Sequence, residues 1–424
     1  MRSNVKISTG AGAGPDGTTD FPSSRGEEGR SSRSSTSELR GALSYCLRVF
    51  LGVRVGLAAV ALVGTALVPF NSVAAVPGWP APVPSRGIDR VVTSFERWDA
   101  LWYLRIASDD YESRDGSAAF FPLYPLAVRA LSVALGDSPL AAALIVSHAA
   151  FFAAMILLYL LVKGESDEGV ARRSVLYMSL FPSAFFFLAP YSESLFTMLV
   201  IACLWSARRS RWLPAGIAAG LAAATRSPGA LLFIPLLIEA ITQARRAAAG
   251  SPGRIRSFAW ALACSSLAPV GALIYLGYWR VRSGSFLIPF SEQAHWLRQF
   301  SWPWATLYDA TKIAWESVGI YPGGFHMLDW LIVVPMLCAG LLMLRVVPAT
   351  YSVYAWTALL LPLFSIFNGR PLMSFPRFIL PVFPLFWALA ILGRRPGFDR
   401  AYVAISAGGL VLLTVLFVTW YWVF

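Results

Sequence analysis

From Leu47 onward the sequence is a succession of nearly uncharged apolar runs, most of them closed by arginines. Such runs can satisfy their backbone groups out of water only as helices or as a closed barrel. They are rich in Leu, Ala and Phe and lack the period-2 alternation of a barrel strand, so the expected fold is an all-α polytopic membrane protein. Of the 424 residues 57% are hydrophobic and 14% charged, where a soluble domain carries about 25% charged residues. A net charge of +12 would suggest nucleic acid if the basic residues shared one face. Here they sit in short loops between spans, which is the positive-inside pattern, and no nucleic-acid partner is expected. Cys46, Cys203, Cys264 and Cys338 each stand alone in or beside an apolar run, and three histidines lack ligand spacing. Neither a disulfide framework nor a zinc site is expected.

Residues 1–42, rich in Gly, Ser, Thr and charge, read as a disordered cytoplasmic tail, and 43–424 as one transmembrane domain. The first span, about Leu47–Phe70, has Arg40, Arg48 and Arg54 on its N-terminal side, so the chain emerges outside. The loop 71–137 is too long for a bare connection and should carry short interfacial helices. Within it 121–135, interrupted by Arg129, is short for a span. If that segment does not cross, the clusters Lys163/Arg172/Arg173, Arg208/Arg209/Arg211 and Arg245/Arg246/Arg254/Arg256 all become cytoplasmic; if it crosses, all lie outside. The first choice gives about eleven spans, a cytoplasmic N-terminus and a second long outer loop over 281–326.

On this topology Glu96/Asp99, Glu193, Arg226 and Arg370/Arg377 fall on the outer side. Arg226 and Arg377 break the positive-inside pattern beside apolar spans, which calls for a bound anion or a carboxylate partner. A guanidinium fork grips phosphate oxygens and offsets charge on a leaving group. A carboxylate near an acceptor hydroxyl can take its proton. Asp99, set among Trp98, Trp102 and Tyr103, is the candidate base, and those rings can stack on a sugar or anchor at headgroup level. The bland readings are that Asp99 caps a helix or pairs with Arg97 or Arg105, that Glu96 is a loop acid or helper, that Glu193 satisfies Arg226, and that Arg370 is solvated.

The runs Arg97-Trp98-Asp99 to Tyr103, Phe120-Phe121-Pro122-Leu123-Tyr124-Pro125, Phe181-Pro182-Ser183-Ala184-Phe185-Phe186, Tyr191-Ser192-Glu193-Ser194, Thr225-Arg226, Phe290-Ser291-Glu292-Gln293-Ala294-His295-Trp296 and Ser374-Phe375-Pro376-Arg377-Phe378 resemble, in order and spacing, the PIG-V mannosyltransferases. The resemblance spans about residues 90–390 and implies a GT-C-type helix bundle. It implies an inverting mannosyl transfer from a polyprenyl-phosphate-mannose donor to a glycan or glycolipid acceptor on the extracytoplasmic face. Asp99 would be the base, with Glu96, Trp98, Trp102, Tyr103, Glu193, Arg226, Gln293, His295, Trp296 and Arg377 binding substrate. No cofactor or metal-binding acidic pair is evident, and a divalent metal stays open. The Ala/Arg-rich composition reads as bacterial, placing the enzyme in the plasma membrane. Transfer of another sugar, or passage of a lipid-linked sugar across the bilayer, are the alternative readings; the gathering of ionisable residues at one face favours chemistry over passage.

Overall fold

The structure, a computed structural model, describes residues 25–82, 85–112, 115–247, 253–320 and 324–423, with side chains from residue 38 onward except Ala294 and His295. The chain divides into Met1–Gly41 and Ala42–Phe424. In the stretch read as a disordered tail, residues 1–24 lie outside those described, and the backbone is helical from Arg25 in the helix Arg25–Leu67. Once an apolar span is fixed, each further helical residue needs no new nucleus, so the helix can extend into polar sequence.

The second unit is almost wholly helical; one antiparallel pair of three-residue strands, Arg298–Phe300 with Ser365–Phe367, is the only sheet among the described residues. Among the described residues six helices are long and apolar enough to cross a membrane: Glu38–Leu67, Pro139–Glu165, Ser227–Arg246, Arg254–Ser283, Gly324–Val346 and Pro396–Val418. The protein is a multi-pass membrane protein. Each apolar run in the sequence does become helical, but the count of about eleven crossings is not reproduced by length and composition. Several runs break early. Glu168–Leu180 stops before Phe181-Pro182, Ala349–Leu363 carries Pro362 at its end, and Phe383–Leu392 follows Pro381 and has only 10 residues. Proline ends or restricts a helix because it lacks the amide hydrogen and crowds the residue before it.

The loop 71–137 carries the expected short helices, Asp89–Thr93, Asp99–Asp109 and Leu123–Ala134. The loop 281–326 holds the helix Pro303–Glu316 and exposed Trp302, Trp304 and Trp315. Small residues let helices meet at backbone distance, as membrane helices do where apolar area gives no drive to associate. Helix Trp212–Thr225 lies so close to Val270–Ser283 that a Cβ on Gly271 would stand 1.9 Å from the Gly220 carbonyl oxygen. At Gly229 a Cβ would stand 2.3 Å from Ala222 backbone, which seats the turn Ser227–Leu232 directly on the end of Trp212–Thr225 and fixes Arg226 between them.

Candidate active site

Four helix or turn ends supply the charged groups. Asp99 is the first residue of Asp99–Asp109 and Glu193 the first of Glu193–Arg208. Arg226 directly follows the last turn of Trp212–Thr225. A carboxylate at a helix N-terminus and a cation at a C-terminus both complement the helix dipole, so these positions suit their charges before any partner is counted. Arg377 sits in the short turn Phe375–Phe378, entered through Ser374 at φ 66°. The entry to Asp99 is fixed from outside the loop. Tyr191 donates to the Arg97 carbonyl (2.9 Å), and Arg97 donates to the carbonyls of Thr93 (2.8 Å) and Val418 (3.2 Å) while lying over the Trp420 ring.

These ends converge. Arg377 Nη1 donates to Asp99 Oδ2 at 2.5 Å, and its Nε lies 2.9 Å from Glu193 Oε1. Arg226 Nη1 pairs with the same Glu193 oxygen and reaches Ser192 Oγ at 3.3 Å, and Ser192 Oγ is 2.8 Å from the Tyr103 hydroxyl. Glu193 is 1% exposed, Arg377 11% and Asp99 23%. The carboxylate of Asp99 is therefore the open end of the network, and only its Oδ2 is taken among the described residues. Burial by itself would lower the affinity of Arg377 for its proton; Glu193 and Asp99 more than offset this and hold the guanidinium charged, above its ordinary range. Glu193 Oε2 is buried without a hydrogen-bond partner among the described residues, while Arg377 Nε keeps its 2.9 Å ion-pair contact with Glu193 Oε1.

The aromatic candidates separate into two groups. Trp102 is buried, stacked on Phe120 (centroids 5.7 Å) and edge-on to Trp296 (5.6 Å), and Tyr103 packs edge-on against Phe120, Tyr124 and Tyr191. Trp296 belongs to the turn Glu292–Trp296, tied to the first loop by the Gly116 amide donating to Glu292 Oε2 at 2.8 Å. Gln293 lies in that turn, half-buried, and the side chain of His295 lies outside those described. Trp98 instead faces the C-terminus, stacked on Trp422 (5.8 Å) and edge-on to Trp420 (5.5 Å), a packing role. Glu96 is not in the charged cluster. Its nearest charge is Arg97, and burial raises its pKa above the ordinary carboxylate range. Arg105, one suggested partner for Asp99, pairs with Asp115.

Two features were not read from the sequence. Arg370, expected to be solvated, is 11% exposed and forms a two-toothed pair with Asp329 (2.7 and 3.0 Å) while donating to the carbonyls of Trp422 and Val423. It pins the C-terminal end instead of facing water. Arg298, on the first strand, places its guanidinium 5.6 Å from the Phe378 ring, the ring that Arg226 and Arg377 also flank. Its only visible signal was one more arginine in the loop 281–326, which drew notice for its aromatic residues instead.

Residues 56–241, less than half of the chain, match the family described as Mannosyltransferase (PIG-V). Asp99, Glu193 and Arg226 fall inside the matched segment; Arg298 and Arg377 fall beyond it. No curated protein matches the chain. Among solved structures, ArnT from Cupriavidus metallidurans bound to undecaprenyl phosphate is similar over 86% of this chain and 76% of that one, at 15% identity and a TM-score of 0.48. The archaeal oligosaccharyltransferase AglB from Archaeoglobus fulgidus, in complex with an inhibitory peptide and a dolichol-phosphate, is similar over 88% of this chain and 56% of that one, at 13% identity and a TM-score of 0.39.

Proposed function

We propose that this chain, a membrane glycosyltransferase that resembles the PIG-V mannosyltransferases over residues 56–241, moves a mannosyl group from a polyprenyl-phosphate-mannose donor to a glycan or glycolipid acceptor on the extracytoplasmic face. The observation that carries this reading is the meeting of Asp99, Glu193, Arg226 and Arg377, from four separate chain segments, in one partly open network. Asp99 accepts the proton of the acceptor hydroxyl as its oxygen attacks the anomeric carbon. The bond from that carbon to the phosphate oxygen breaks, and the phosphate leaves with the electron pair. Arg226 and Arg377 offset the charge that grows there. Attack opposite the leaving group inverts the anomeric centre. Glu193 holds both arginines in place, and Tyr103, through Ser192, holds Arg226. Trp102 and Trp296 form an apolar wall suited to a sugar face.

The distribution of charge supports the face. Glu193 and Arg208 begin and end one 16-residue helix, so they stand roughly 24 Å apart at the usual rise of a helix. At the Arg208 end, Arg208 pairs with Glu165, Lys163 and Arg172 pair with Glu168, Arg394 pairs with Asp167, and Ser210 meets Gln243 two residues before Arg245; this is the cation-rich side that the positive-inside rule assigns to the cytoplasm. The site then opens on the other side. The test is transfer by the purified chain, in proteoliposomes, from labelled polyprenyl-phosphate-mannose to lipid and glycan extracts. The expected result is labelled product with release of polyprenyl phosphate. Movement of intact donor between leaflets without any transfer would overturn the reading in favour of a flippase.

A further inference from the structure

Three guanidinium groups surround one phenyl ring. Arg226, Arg377 and Arg298 lie 5.4, 5.5 and 5.6 Å from the Phe378 centroid. Among the described residues two carboxylates, Asp99 and Glu193, join this cluster, and both are engaged by Arg377, with Arg226 sharing Glu193. Arg298 makes no ion pair among the described residues; its one hydrogen bond is a long one to the Ser365 carbonyl at 3.4 Å. It is nonetheless held firmly, because its strand pairs with Ser365–Phe367 in the register Arg298↔Phe367. Burial and the neighbouring charges of Arg377 and Arg226, opposed by Asp99, push its guanidinium down to about 10, so it keeps its proton at neutral pH. The cluster is left with one positive charge in excess, carried by a fixed fork of donors with nothing acidic to grip. An uncompensated, partly buried charge is costly until a counter-ion arrives.

We propose that Arg298 is the residue that receives the phosphate of the donor lipid, and that the resting pocket is built for a single negative charge, that of a phosphodiester. This rests on the donor reading given above. Arg226 and Arg377 are occupied by carboxylates before the substrate enters, so Arg298 makes the ground-state contact. The other two come into play as the departing phosphate gains its second charge. The strand Arg298–Phe300 thereby contributes a substrate ligand, held beside the Phe378 ring by its pairing with Ser365–Phe367.

The test uses the full chain in lipid nanodiscs with two probes, a short-chain polyprenyl-phosphate-mannose and the uncharged mannosyl prenyl ether of equal chain length. Arg298→Gln removes the charge and keeps a donor for Ser365; Arg298→Lys keeps the charge without the fork. We expect Arg298→Gln to weaken binding of the phosphate probe by about ten- to hundred-fold, the size of a charged hydrogen bond, and to leave the ether unchanged. Arg298→Lys should recover part of the loss, and the phosphate affinity of the native chain should fall with salt more steeply than that of Arg298→Gln. Equal phosphate binding by the native chain and Arg298→Gln overturns this assignment and leaves the donor reading standing. Equal losses for both probes also overturn it, since that is the behaviour of a residue that only shapes the loop. A native chain that binds the phosphate probe no better than the ether overturns the assignment and the donor reading together.

Discussion

Replacing Arg377 by alanine strips a cation from two carboxylates at once. Asp99 loses its 2.5 Å partner and Glu193 loses a 2.9 Å neighbour. Breaking a buried ion pair by deleting one partner costs about 3–5 kcal/mol, because a charge stays behind without compensation. Two features lower that figure here. Asp99 is 23% exposed and can turn to water, and Glu193 keeps Arg226. One feature raises it. The guanidinium is flanked by Phe186, Tyr191 and Phe378 at 5.4–5.5 Å, contacts worth about 0.5–2 kcal/mol each. A net loss of about 3–4 kcal/mol is the expected outcome. Arg377→Lys, whose ammonium can reach one carboxylate but not fork across two, should lose less. The assay is reversible unfolding of the purified protein in mixed detergent, run as a double-mutant cycle of Arg377→Ala against Glu193→Gln. Residues that share a network should show a coupling energy of about 1–3 kcal/mol. Stability of Arg377→Ala within about 0.5 kcal/mol of the native chain, the range of an ordinary surface substitution, would refute the reasoning.

Gly271→Ala should lower stability by about 1–3 kcal/mol or prevent folding, because its Cβ would sit 1.9 Å from the Gly220 carbonyl oxygen and backbone cannot step aside; a native unfolding midpoint would contradict that packing. Glu96→Gln should leave the rate of transfer within about two-fold of native, less than the loss expected of a general base, since Glu96 lies beside Arg97 and outside the charged cluster. A loss comparable with that of an Asp99 variant would move the base to Glu96.

The outline of the fold was legible because bilayer crossing imposes long apolar helices, and arginine placement orders them. The site was legible for a related reason. Arg226 and Arg377 stand out as cations in short loops read as lying on the outer side, and the structure pairs them with Glu193 and Asp99. Spacing could not show which acid meets which base. The sequence offers Glu193 either a buried arginine such as Arg226 or a substrate, yet it bridges Arg226 and Arg377, a fact that depends on how the turns at Ser192 and Ser374 close. Arg298 and Arg370 were missed for opposite reasons. Arg298 lies in a loop with no apolar span beside it to make its charge conspicuous, and it matters only because a three-residue strand brings it beside Phe378. Arg370 looked solvated because its partner, Asp329, is 1% exposed inside a helix far along the chain. The crossing count fell short where proline cuts a run into pieces that composition alone reads as continuous.

The central claim is that Asp99 takes the proton of the acceptor. The most direct measurement is single-turnover transfer from bound polyprenyl-phosphate-mannose by Asp99→Asn, an isostere that can still accept from Arg377 Nη1 but cannot take a proton. Donor binding and unfolding midpoint should stay near native, while the transfer step slows by about 10²–10⁴-fold, the usual contribution of a positioned base. Transfer at the native rate would leave Asp99 without its assigned role.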